Sequence, residues 1–375
     1  MTRRYDTPLL VATLALLALG LAMVYSASSF IAAEQNGNPW HFVQRQGVAA
    51  GLGLALCAAA ARTPYRKLAK WAPYLYGAGL FSLVLVWVPG IGHSAGGAAR
   101  WFGVGGFHFQ PAEFVKVVVL VGLAAWIQKN RGQVNDPKVL GVAAATIAPS
   151  ALLILLQPDF GSFAIIALLC GIMVFLAGLR VAWVLALGGL GALGLGVVAI
   201  AEPYRMKRIT SFLDPFADCS GAGYQVCQSL LALHHGGVRG QGPGEGVAKL
   251  LYLPEPQNDF IAAVLGEELG LVGMLVLMGL YAAFAWRGTL VARRAPDAVG
   301  SLLASTLTVM IVGQACLNLG VVMSVVPPKG LVLPFLSYGA SAMMVNLGAV
   351  GILLSISAEA KQEATAPLGV SSVPG

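Results

Sequence analysis

Few residues in this chain could do chemistry, and they stand where apolar sequence begins or ends. The stretch LPEPQNDFIAAVLGEELG, from Leu253 to Gly270, sets Asp259 between a long polar segment and an apolar run. A carboxylate at such a boundary is costly unless something holds it, so it reads first as functional. Glu113 and Lys116 are three apart in FQPAEFVK, which puts them on one helical face where they can pair. Pro111 suits the first turn of that helix. Asp159 lies in QPDFGS, Lys329 in PPKG and Arg100 beside Trp101, while Arg205 and Arg208 lie in the long polar segment. Together they offer a carboxylate to take a proton from a hydroxyl, and cations with helix N-termini to hold a diphosphate. Each also has a plainer reading: Glu113 and Lys116 as a structural ion pair, and Asp159 or Asp259 as a helix cap. Glu267 and Glu268 read as polar groups inside a bundle, at least one of them hydrogen-bonded there.

The elements that must position these groups are membrane helices. Of 375 residues 57% are hydrophobic and 10% charged, against about 25% charged in soluble domains, and mean hydropathy is +0.78. Apolar runs long enough to cross hydrocarbon recur from end to end, with no strand-like alternation, which predicts an all-α integral membrane protein. We place about ten spans, at roughly 8–28, 42–61, 72–89, 111–127, 139–156, 161–178, 181–200, 259–286, 298–321 and 335–357. The first reads as a retained helix rather than a signal peptide. Arginines and lysines concentrate in alternate short loops, Arg62 to Lys70, Lys129 to Lys138 and Arg287 to Arg294 among them. Those loops are therefore expected to be cytoplasmic, as are both termini.

This orientation puts a large loop, about residues 201–258 between the seventh and eighth helices, outside, along with every candidate residue named above. The expected domain is residues 1–358, with a short cytoplasmic tail from 359 to 375. Residues 93–106 and 236–246 are glycine-rich and read as turns and irregular loop. The net charge of +7 sits in topology-setting loops and argues for no nucleic-acid partner. The five cysteines form no metal-ligand pattern. Cys219 and Cys227 share the outer loop, where two free thiols are the expectation and a disulfide the alternative.

The blocks YDTPLLVATLALLALGLAMVYSASS, ARWFGVGGFHFQPAEFVK, LLQPDFGS, PYRMKRITSFLDPFAD, GYQVCQSLLAL, LYLPEPQNDFIAAVLGEELGLVG and LNLGVVMSVVPPKGLVLPFLSYG resemble, in order and along nearly the whole chain, the SEDS family of cell-wall polymerases. The PPKGLVLPFLSYG block and the opening YD…MVYSASS are more similar to its division branch than to its elongation branch. The resemblance implies a peptidoglycan glycosyltransferase that joins lipid II units outside the membrane and releases undecaprenyl diphosphate. It implies Asp259 as the essential aspartate, Glu113 and Lys116 as the family's fourth-helix pair, and Pro327 to Gly330 as its Pro-x-Lys-Gly loop. It also implies a class B penicillin-binding protein, a transpeptidase, as partner, alongside other proteins of the division machinery. The chain departs from the family in having Gln257 and Asn258 where relatives commonly have His-Thr, and Ala340 and Ser341 after Gly339.

The role assigned to Asp259 is general base on the acceptor's 4-hydroxyl, with Lys116, Arg100, Arg205, Arg208 and Lys329 as candidates to hold the diphosphate and Glu113 to orient Lys116. A Mg²⁺ or Mn²⁺ ion between Asp259 and the diphosphate is compatible with the sequence and not required by it. A lipid II flippase needs charge along the inner half of the bundle, which is nearly absent, and a pure scaffold leaves the outer polar groups without a purpose.

Overall fold

The computed structural model describes residues 4–95, 98–104, 107–186, 188–189, 191, 214–221, 223–250, 253–327 and 330–365. Six helices within it are each long and apolar enough to cross a membrane: α1 (Thr7–Asn36), α4 (Pro111–Lys129), α5 (Pro137–Leu156), α8 (Ile261–Arg293), α9 (Ala298–Val322) and α10 (Ala340–Thr365). Helices α2 (His41–Arg62) and α3 (Tyr65–Leu85) form a pair bent by 117°, which makes seven candidates if that pair is one span. Helix α6 (Phe160–Leu176) is apolar but shorter. The chain is thus a mostly helical, multi-pass membrane protein with six or seven candidate spans among the described residues, where the sequence predicts about ten. The expected seventh span at 181–200 lies largely outside the described residues.

Two segments differ in kind from expectation. Residues 93–106, read as turns in an all-α chain, contribute to a small antiparallel sheet of β1 (Gly92–Ala95), β2 (Ala98–Val104) and β3 (Phe107–Phe109), in that order. His93 pairs with Trp101 and Phe102 with Phe109 across it. Cross-strand aromatic pairs of this kind stabilise a sheet, and the surrounding glycines hide them from a reading based on turn residues. Within the expected outer loop a helix forms, α7 (Tyr224–Gly236), and Cys227 on it is disulfide-bonded to Cys219. The expectation of two free thiols is corrected: the short excursion between them returns the two Cα atoms to 5.6 Å, within bridging range.

Local chemistry sets the helix starts. Asp6 caps α1 by accepting from Leu9 N at 3.0 Å, Asp136 caps α5 through Lys138 N at 2.9 Å, and Asp297 caps α9 through Gly300 N at 2.8 Å. The core runs along α1, α2, α4, α8, α9 and α10, with α2 packed along α10. In lipid such packing gains mainly from close contact, since lipid tails are as apolar as the side chains. Helix α10 runs on to Thr365, and Glu359 and Glu363 on it approach Arg66 at 3.7 and 3.0 Å.

Helix α8 is broken inside the span. Gly270 has φ 65° and ψ −163°, a conformation essentially confined to glycine. A break at that depth exposes backbone groups that lipid cannot satisfy. The loop after α7 satisfies them: Gln241 N and Gly242 N donate to Glu267 O and Glu268 O at 2.9 and 3.0 Å, while Leu271 N and Val272 N donate to Gly237 O and Val238 O at 2.9 and 3.2 Å. A Cβ on Gly270 would lie 2.3 Å from Gly240 N. Beside the break, Glu268 is buried against Lys249 Nζ at 2.7 Å and Ser26 Oγ at 2.6 Å, and Glu267 accepts from Ala248 N at 3.0 Å. Gly270→Ala is expected to cost at least about 1–3 kcal/mol from the dihedral alone. A lowered thermal unfolding midpoint of the detergent-solubilised protein measures it.

Candidate active site

The ends of α4, α6, α8 and α10 and the sheet meet around a cavity of about 440 Å³. Its lining includes Arg45, Arg100, His108, Gln110, Glu113, Asp159, Glu255, Asn258 and Asp259. Sequence-predicted Asp259, Glu113, Arg100 and Asp159 therefore share one chamber. Lys116 lies beneath it, buried, and Arg205, Arg208 and Lys329 lie outside the described residues.

Asp259 is not a helix cap. The N-cap position of α8 is Phe260, which makes no side-chain capping bond. What the structure holds is the backbone of Asp259 and its neighbours. Asn318, buried near the C-terminal end of α9, donates from Nδ2 to Asp259 O at 2.7 Å and to Leu331 O at 2.6 Å. Ser337 Oγ donates to Asn258 O at 2.8 Å, and Tyr338 N to Gln257 O at 2.8 Å. Gln46, buried in α2, grips the same loop, donating to Ser337 O at 3.0 Å and accepting from Gly339 N at 3.1 Å. The Asp259 carboxylate itself meets no hydrogen-bond donor among the described residues. Burial, and after it the negative charge of Glu255, push its carboxyl up to about 6. Glu255 is positioned in turn by Asn258 Nδ2, which donates to it at 2.6 Å.

Glu113 and Lys116 pair as their spacing predicts, at 2.9 Å. Lys116 Nζ also donates to Gln314 Oε1 at 3.2 Å, and Gln314 Nε2 to Val332 O at 2.9 Å. The pair thus braces the floor between α4, α9 and the loop before α10. Asp159 does cap α6, accepting from Ser162 N at 3.1 Å and Ser162 Oγ at 2.7 Å, and it also accepts from Gln110 Nε2 at 3.0 Å. Arg100 donates to Gln157 O and Pro158 O, which ties the sheet to the α5–α6 turn. Arg45 was not singled out from sequence. It lines the chamber from α2 with no bonding partner among the described residues, which leaves its guanidinium available to an anion. Of the other residues missed from sequence, Gln314, Asn318 and Ser337 carry one available signal, as isolated polar residues within apolar runs, while Gln46 belongs to the polar triplet Gln44 to Gln46 at the start of one.

The family described as cell cycle protein, covering FtsW, RodA and SpoVE, matches residues 7–362. The chain belongs to this family. Stage V sporulation protein E of Bacillus subtilis is 40% identical over 353 residues, 94% of this chain and 96% of that protein. A probable peptidoglycan glycosyltransferase FtsW of Geobacter sulfurreducens is 41% identical over 360 residues, 96% of each. Among solved structures, a chain from work on the structural coordination of polymerization and crosslinking by a peptidoglycan synthase complex is 31% identical, with a TM-score of 0.77, covering 96% of this chain and 99% of its own. The rod shape determining protein RodA of Thermus thermophilus is 29% identical with a TM-score of 0.69, covering 94% and 96%. FtsW/RodA/SpoVE membership thus spans the chamber and every element that builds it.

The ion pair under the chamber has a measurable signature. Removing one partner of a buried pair typically costs about 3–5 kcal/mol, because the other charge is stranded. Glu113→Ala is expected to destabilise the protein more than the double change Glu113→Ala with Lys116→Met, as read from thermal unfolding of the three proteins.

Proposed function

We propose that the chain is a peptidoglycan glycosyltransferase that polymerises lipid II on the outer face of the bacterial cytoplasmic membrane during septal wall synthesis, releasing undecaprenyl diphosphate. The observation that carries this reading is a carboxylate that meets no donor among the described residues, facing a chamber lined by the unpartnered Arg45, in a chain about 41% identical to a relative named as such a transferase. The likeness to several relatives named FtsW supports division over elongation.

In this reading the bundle has ten spans, with both termini and the tail at 359–375 cytoplasmic and the 201–258 loop outside. The paired Cys219 and Cys227 support that orientation, since disulfides persist in oxidising compartments. The partner is a class B penicillin-binding protein within the division machinery, a reading supported by the likeness to a chain of a peptidoglycan synthase complex.

Asp259, as the base, takes the proton from the acceptor's sugar 4-hydroxyl. That oxygen attacks the donor's anomeric carbon, and the lipid diphosphate leaves from the opposite face, so configuration inverts. A positioned base supplies about 10²- to 10⁴-fold. The remainder comes from holding two lipid-anchored substrates in line and from cations on the diphosphate. Arg45 and Arg100 line the chamber for that work, and Arg205, Arg208 and Lys329 join them. Lys116, committed to Glu113 and Gln314, keeps the floor rigid. No cluster of three or more metal-ligating side chains occurs among the described residues. Asp259 and Glu255 nonetheless form the two-carboxylate set that Mg²⁺ or Mn²⁺ takes beside substrate phosphates. Such an ion, when bound, neutralises charge on the departing diphosphate.

Asp259→Asn in purified protein supplied with lipid II is expected to lower glycan-strand formation at least about 10²-fold; unchanged polymerisation removes Asp259 from the mechanism. The base works ionised, so turnover of the unaltered enzyme should rise with pH through about 6 and level off above it. Glu255→Gln deletes a negative neighbour and should move that midpoint down, measured as rate against pH. Arg45→Ala should raise KM for lipid II by about tenfold or more, the scale of a lost hydrogen bond to a charged group.

A further inference from the structure

A second cavity lies at the other end of the bundle. It is about 480 Å³ and lies where α4, α6 and α8 end and α9 begins. Helix α4 has 19 residues, which at about 1.5 Å each separates its two ends by roughly 28 Å. That is close to the hydrocarbon thickness of a bilayer, about 30 Å. The first chamber takes the N-terminal end of α4 through Gln110 and Glu113, and the second takes its C-terminal end through Ile127 and Arg131. The second cavity therefore sits at the opposite membrane boundary.

Its chemistry is divided. Ile127, Val134, Leu176 and Leu302 give it apolar walls, while Arg131, Arg293 and Ser301 supply donors. Both arginines are exposed, and none of the three side chains has a bonding partner among the described residues. The one acid in the lining, Asp297, is already engaged by Arg66 Nε at 2.9 Å and Gly300 N at 2.8 Å, so it does not neutralise them. The first turn of α9 presents the favourable end of one helix dipole, but the C-terminal ends of α4, α6 and α8 oppose it, so the arginines carry the attraction for an anion. Two guanidinium groups and a hydroxyl around one opening match a phosphodiester, and the apolar wall matches the glycerol and acyl ester region beyond it.

We propose that this cavity is a binding site for the headgroup of an anionic phospholipid in the leaflet opposite the catalytic chamber. Basic pockets between membrane helices on the cytoplasmic side take such headgroups. Arginines near helix C-termini also complement the helix dipole without any ligand, but that role requires neither a shared cavity nor a preference among lipids. The site does not depend on the catalytic assignment of Asp259.

The test uses the full chain in detergent micelles supplemented with phosphatidylglycerol, with phosphatidylcholine, or with inorganic phosphate. The readouts are the shift in thermal unfolding midpoint and the retained phospholipid counted by native mass spectrometry. Phosphatidylglycerol is expected to raise the midpoint and remain bound, with phosphatidylcholine and phosphate doing neither. Arg131→Gln with Arg293→Gln should weaken phosphatidylglycerol at least tenfold. Lys67→Gln, which removes an exposed charge from the same boundary but outside the cavity, should leave it unchanged. Each shift is taken against the same variant without lipid, so a change in intrinsic stability does not mask the result. Equal effects of the two lipids, equal stabilisation by inorganic phosphate, or equal losses in the double variant and Lys67→Gln would each overturn the proposal.

Discussion

The chamber end of this bundle depends on backbone being held while a carboxylate is left without a donor among the described residues. Asn318 donates to the carbonyls of both Asp259 and Leu331 from inside an apolar helix, and so locks two irregular segments to one rigid element. Irregular backbone at such a depth persists only where protein satisfies its polar groups. Here Gln46, Ser337 and Asn318 do so, and none of them takes the acid's own oxygens. The acid therefore keeps its full capacity to accept a proton, at a raised proton affinity, without being free to move.

The same economy explains the second pair of buried acids. Glu267 and Glu268 lie near Asp259 in sequence, yet their oxygens are committed to Ala248 N, Lys249 and Ser26. They join the segment after α7 to α8 and α1. The charged groups of this chain thus divide by whether their oxygens are occupied. Glu113 is occupied by Lys116 and Asp159 by Ser162 and Gln110, while Asp259 has no such partner among the described residues. Capping and pairing place the first two, and the chamber they frame faces the third.

How much of this was legible in the sequence follows from range. Glu113 and Lys116 were readable because a three-residue spacing on a helix decides their contact. Asp159 as a cap was readable because capping is local. That Asp259 is not a cap was not, since the decision rests on where α8 begins, one residue later. Gln46, Asn318 and Arg45 were missed because their partners or surroundings lie far along the chain: Gln46 meets Ser337 and Gly339, and Asn318 meets Asp259. The sheet at Gly92–Phe109 was hidden because glycines that signal turns also flank short strands. The helical class and the apolar spans were plain because hydrocarbon thickness dictates them, whereas α7 was hidden in a segment classed by its polarity.

The clasp between residues 237–242 and the break in α8 is made entirely of main-chain groups. Its specificity therefore resides largely in shape, and Val238 and Arg239 are free to vary as long as Gly240 and Gly270 permit the approach, while the Gln241 side chain donates to His235 O and ties the loop to α7. The loop also leaves the ribosome before the helix it completes. The break in α8 therefore finds its hydrogen-bond partners in chain that is already synthesised, and waits for no later segment to satisfy it.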